Sequence, residues 1–96
     1  KPTGSYSVGR YVCDIYIESL NLIIEFNGDY WHCNPNKYDE DYFHPHKKKT
    51  AKEIWDEDNL RVDNIKKYGY NLEIIWECDL DKPNNLKTIL EKYEKN

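Results

Sequence analysis

The sequence predicts an α+β domain, a mixed sheet flanked by helices, and three features carry that expectation. Two runs rich in β-branched and aromatic residues, RYVCDIYIE and LIIEFN, are separated only by Ser19, Leu20 and Asn21. A capped amphipathic stretch opens at Thr50. A third β-like run, LEIIWEC, then precedes a final amphipathic stretch. The order is β-β-α-β-α, without internal repeat or dividing linker, so residues 1–96 read as one domain.

Residues 1–9 hold Pro2, Gly4 and Gly9 and read as a tail or loop. Arg10–Glu18 reads as one strand and Leu22–Asn27 as a second, stopped by Gly28. Strands this close predict an antiparallel hairpin. Residues 29–49 carry Asn34, Pro35, Asn36 and Pro45 and read as irregular, ending in Lys47-Lys48-Lys49. Thr50 and Glu53 form a capping box. The helix they open places Ala51, Ile54, Trp55, Val62 and Ile65 on one face and should stop near Tyr68-Gly69. Leu72–Cys78 reads as the third strand. Pro83 should open the last helix, with Leu86, Ile89, Leu90 and Tyr93 inward.

Hydrophobic residues make up 39% and charged residues 33%, a globular rather than disordered balance. No apolar run approaches the roughly 20 residues needed to cross a bilayer. The start, KPTGSYSVGR, has no apolar signal region. Three Cys in no disulfide pattern favour a reducing compartment, the cytoplasm. The chain has no Met, even at position 1, and is read as a piece of a longer protein. Net charge is −4, the wrong sign for a module that grips nucleic acid nonspecifically. A nuclease remains compatible with that charge, since metal-binding carboxylates make a catalytic domain acidic.

With Ser19 and Leu20 as the central turn residues, 18 pairs with 21 and Asp14 falls opposite Glu25, Cβ atoms about 5 Å apart. Facing carboxylates repel unless a cation or proton lies between them. An oxygen-rich pair of this kind suits Mg²⁺, which takes one or two carboxylates and keeps several waters. The alternative is that one of the two faces solvent on an edge strand. Asp58 falls in the middle of the helix's apolar arc, where an acid must be satisfied or line a site. Arg61 is its plain salt-bridge partner.

His32 follows the glycine-ended strand, where it can act as a general base or be simple polar surface. Tyr30 and Trp31 beside it can stack on bases or form a small satellite core. Cys33, His44, His46 and Cys78 raise structural zinc, but the tight ligand pairs of zinc sites do not occur, so Zn²⁺ is not expected. Lys47, Lys48 and Lys49 with Lys52 form the one basic cluster, either a phosphate contact or a solvated helix entry.

Asp14-Ile15, the strand LIIEFNG, Tyr30-Trp31-His32, and Gly69-Tyr70 leading into Ile75-Trp76-Glu77-Cys78 together resemble the very-short-patch mismatch-repair endonucleases. These are nucleases of the PD-(D/E)xK superfamily, and the similarity runs from about Arg10 to the C-terminus. The phage-borne EDxHD homing endonucleases share this core, and LIIEFNGDYWHCNP looks closer to them.

The resemblance implies a Mg²⁺-dependent DNA endonuclease in a bacterial or phage-infected cell. Residues matching Asp14 and Glu25 bind the ion, and the one matching His32 serves as base. The one matching Asp58 completes the site through water or His contacts, and those matching Tyr30 and Trp31 wedge into duplex DNA. Asn27 stands where the superfamily usually has lysine, which shifts water activation toward His32. The mismatch enzymes hold zinc through a cysteine where this chain has Asp29 and through a close His-x-Cys pair absent here, and only Cys78 matches that set. The mismatch enzymes also use a glutamate on an N-terminal helix, for which this chain has no counterpart, and a separate DNA-recognition domain is expected in the parent protein.

Overall fold

A computed structural model describes residues 6–82 and 85–94. Its elements are β1 (Tyr6–Val8), β2 (Tyr11–Cys13), β3 (Ile15–Ile17), β4 (Leu22–Asn27), β5 (Phe43–His44), β6 (Lys49–Thr50), α1 (Ala51–Lys67), β7 (Asn71–Trp76) and α2 (Asn85–Glu94). The domain is α+β, as the sequence predicts. Its main sheet has order β3-β4-β7 and is mixed: β4 is antiparallel to β3 and parallel to β7. Among the described residues, no helix is long and apolar enough to cross a membrane.

Strand β4 is central because its sequence is apolar on both faces: Leu22, Ile23 and Ile24 are at most 1% exposed. Ile23 packs with Leu72, Ile74, Val62 and Ile65 on the α1 side. Leu22, Ile24 and Ile75 pack with Ile89, Leu90 and Tyr93 of α2 on the other. Thus the odd positions of β4, including Glu25 and Asn27, share the α1 side. The register aligns them with Ile74 and Trp76 of β7.

The hairpin register is the one read from the turn: Ile15 pairs with Ile24 and Ile17 with Leu22. Asn21 closes the turn at φ +49°, its N–H donating to the Glu18 carbonyl. The single strand expected over Arg10–Glu18 is instead two short ones broken at Asp14. β2 leaves the sheet there and pairs with β1, so Tyr6–Val8 is strand and not tail; residues 1–5 lie outside the described set. Gly9 turns this ribbon at φ +58°, where an added Cβ would meet the Tyr68 hydroxyl at 2.5 Å.

The capping box forms as read, Thr50 accepting from Glu53 N–H and Glu53 from Thr50 N–H. Two further orphan donors of the first turn, Ala51 and Lys52, reach the carbonyls of Tyr42 and Glu40. The segment 29–49 is therefore not wholly irregular: β5 pairs with β6, and the rest is a chain of turns folded onto the helix start. Helix α1 stops at Tyr68, followed by Gly69 at φ +101°. β7 ends at Trp76, and Glu77–Asp79 form a 3-10 turn rather than continuing the strand. Of the residues expected inward on α2, Leu86 is 47% exposed, and Pro83 lies outside the described residues.

Candidate active site

Where the chain breaks between β2 and β3, the Asp14 side chain takes over a ladder bond. Phe26 N–H donates to Asp14 Oδ2 at 2.9 Å, which pins the carboxylate beside the end of β4. Asp14 is exposed, whereas Glu25, opposite it by continuation of the register, is 6% exposed. A buried carboxylate needs a partner, and Glu25 has one. Arg61 donates to it through Nη2 at 2.6 Å and Nε at 3.3 Å. Nη2 also reaches the Val12 carbonyl at 2.9 Å, and the guanidinium lies 5.3 Å from the Tyr11 ring centroid. The Glu25 hydrogen bonds hold the Arg61 guanidinium above its ordinary pKa. Beside them, burial pushes the Cys13 thiol up to about 11, so it stays neutral.

Of the two readings open for Asp58, the ion pair with Arg61 does not form. Arg61 reaches across to β4, and Asp58 instead holds His32, with Oδ2 2.8 Å from Nδ1. A carboxylate oxygen accepts in such a contact, so Nδ1 is the donor and Nε2 lies outside the bond. His32 is fixed from its own loop as well, its N–H donating to the Gly28 carbonyl, and the next residue, Cys33, turns at φ +50°.

Asp14, Glu25, Asn27, His32 and Arg61 line one cavity of about 190 Å³. The sequence placed the first four there; it missed Arg61, whose signal was a cation on the edge of the helix's apolar stripe. Among the described residues, no three His, Cys, Asp or Glu side chains converge as a ready metal cage. Mg²⁺ does not require one, since it binds through one or two carboxylates and retains water. Asp14 offers an exposed carboxylate with one oxygen outside its bond to Phe26. Glu25 becomes a ligand only by exchanging Arg61 for the ion. The donor set fits a largely hydrated Mg²⁺ on those terms.

No family model, curated protein or solved structure matches this chain.

The residues considered for zinc do not gather. Cys33 is buried against Ala51 and Ile54, and Cys78 is exposed. Asp29 and Cys78 instead meet through Asn34, which is 1% exposed. Its amide donates to Asp29 Oδ1 at 2.9 Å and to Cys78 Sγ at 3.5 Å, and Lys37 Nζ lies 3.2 Å from Asp29 Oδ2. Asn34 and Lys37 hold the Asp29 carboxyl below its ordinary pKa. This polar knot ties the His32 loop to the end of β7, where Glu77 accepts from Asp29 N–H at 3.0 Å. Sequence reasoning did not find it, because its members lie in a turn-rich stretch where Asp, Asn and Lys are ordinary.

Of the proposed DNA contacts, Trp31 is 49% exposed, while Tyr30 is tied through its hydroxyl to His46 Nδ1 at 2.6 Å. Lys49 is paired with Glu57, which leaves Lys47 and Lys48 outside any ion pair among the described residues. Their loop is organised by His44, 0% exposed, whose Nδ1 accepts from His46 N–H at 3.2 Å and Lys47 N–H at 3.0 Å. Its Nε2 is buried without a partner. Burial, and the nearby charges of Lys47 and His46, lower its pKa below the ordinary 6.5. The folded state therefore binds this proton more weakly than the unfolded chain. Stability is intact above the unfolded value and falls as pH drops through it toward the folded one. Urea unfolding between pH 8 and pH 5 should show this loss in wild type. His44→Asn keeps an acceptor without titrating and should show a smaller one; equal losses would exclude His44 as the cause.

Proposed function

We propose that this chain is the catalytic domain of a Mg²⁺-dependent DNA endonuclease of the PD-(D/E)xK kind, closest to phage EDxHD homing endonucleases. The observation that carries the reading is the 2.8 Å His32–Asp58 contact, made across 26 residues and opening on the same cavity as Asp14 and Glu25. A helix acid that fixes a loop histidine beside two carboxylates is an arrangement that suits an imidazole moving a proton.

In this reading Asp14 and Glu25 hold the ion at the end of β4. A Mg²⁺ ion held by Asp14 and Glu25 would supply positive charge to the scissile phosphate. His32 Nε2 takes the proton of the attacking water, in line with the leaving oxygen. Asp58 keeps Nδ1 protonated and stabilises the imidazolium that forms. Asn27, in the position where the superfamily has lysine, contributes an amide and no charge. Trp31 faces the duplex, with Lys47 and Lys48 as phosphate contacts. The net charge of −4 supports placing most of the affinity, and with it sequence recognition, elsewhere in a parent protein. The hydrogen-bonded knot at Asp29, Asn34 and Cys78 favours the homing enzymes over a zinc-bearing mismatch nickase.

The Glu25–Arg61 ion pair favours a second reading, a nucleic-acid-binding module on the same fold in which arginine has permanently displaced the ion. Supercoiled-plasmid cleavage separates the two. The endonuclease nicks or linearises plasmid in Mg²⁺ and stops in EDTA. A folded protein that binds DNA and leaves diverse plasmids uncut establishes the second reading.

A further inference from the structure

On the α1 side of the sheet, next to the cavity just described, lies a second of about 220 Å³. Trp55, Val62, Ile74 and Trp76 form its apolar walls, and Asn27, Asp58 and Asn59 its polar ones. It opens at the carboxyl ends of the parallel pair β4 and β7, since Asn27 and Trp76 are the last, paired residues of those strands. Crevices outside the carboxyl ends of parallel strands are where such sheets bind ligands.

Asn27 points to the kind of ligand. It is 8% exposed, and it lines both this cavity and the neighbouring one. There its amide can pair with an occupant in place of solvent. An amide offers a donor and an acceptor side by side, the pattern that complements the edge of a nucleobase. Asn59, exposed on α1 at the mouth, offers the same pair. The aromatic walls supply stacking surface for a planar ring. The volume is below the roughly 300–1,000 Å³ of sites for drug-sized ligands, which suits a single ring system.

We infer that this cavity binds one unpaired nucleobase. Asn27 borders both cavities, and Asp58, which lines this one, holds His32 in the other. A base lodged here therefore places its own backbone beside His32. That last step rests on the endonuclease reading; base binding itself does not.

The test follows the indole N–H resonances of Trp55 and Trp76 by NMR, without divalent ions, during titration with dAMP, dGMP, dCMP, dTMP and deoxyribose 5-phosphate. At least one nucleotide should shift both indoles saturably, and the sugar phosphate neither. Asn27→Ala should weaken binding about tenfold, and the exposed Asn59→Ala should weaken it without any risk to the fold. Shifts confined to Trp31, or equal shifts with sugar phosphate, would overturn the proposal. Plasmid cleavage by a protein whose Trp55 and Trp76 ignore every nucleotide removes the pocket and leaves the endonuclease. Nucleotide binding by a protein that never cuts does the reverse.

Discussion

His32→Gln should lower DNA cleavage by about 10²- to 10⁴-fold while the far-ultraviolet spectrum and divalent-ion binding stay unchanged. That range is what a positioned proton acceptor contributes. Glutamine keeps a hydrogen-bonding end for Asp58 Oδ2, which now sits 2.8 Å from the imidazole, so the loop should hold its shape. Asp58→Asn should give a loss of similar size, because its amide can donate to Nδ1 and hold the imidazole in the tautomer with Nε2 protonated, which cannot take the proton of the water. A wild-type rate in His32→Gln would move the base elsewhere.

Arg61→Gln should have the largest effect on stability. It leaves Glu25, 6% exposed, with an uncompensated charge and frees the Val12 carbonyl. Removing one partner of a buried pair costs about 3–5 kcal/mol, and the lower end applies because the Arg61 side chain is 31% exposed. For a domain of this size, about 3 kcal/mol lowers Tm by on the order of 12–24 °C. Mg²⁺ should restore more of this loss in Arg61→Gln than it adds to wild type, because the ion then meets no competing guanidinium. Equal Mg²⁺ effects on the two proteins would remove Glu25 from the ion site.

How much of this was legible follows from the range of each interaction. The Leu22–Asn27 strand, the Thr50 capping box and the stop at Gly69 are local, set by residue type and spacing within a few positions. The hairpin register was legible too, because a tight turn fixes it. The break at Asp14 was not: nothing local interrupts RYVCDIYIE, and only the pairing of β2 with β1 draws it off the sheet. Arg61 shows the same limit. Asp58 is its near neighbour in sequence, but the buried Glu25 needs the charge more, and burial at that depth is a tertiary property. The β5–β6 ribbon is too short for a periodic signal, and it is held by Ala51 and Lys52 N–H groups seeking carbonyls in the loop.

The most direct test of the central claim compares wild type with Asp14→Ala on supercoiled plasmid in Mg²⁺, using the longest available parent protein and matching the folds by circular dichroism. Asp14 is exposed and gives up one hydrogen bond to Phe26 N–H, so the variant should fold. The expected result is cleavage by wild type that EDTA stops, and none by Asp14→Ala. Undiminished cleavage by the folded variant would contradict the assignment of Asp14, and with it the reading of the Asp14, Glu25, His32 and Asp58 cluster as a metal-dependent nuclease site.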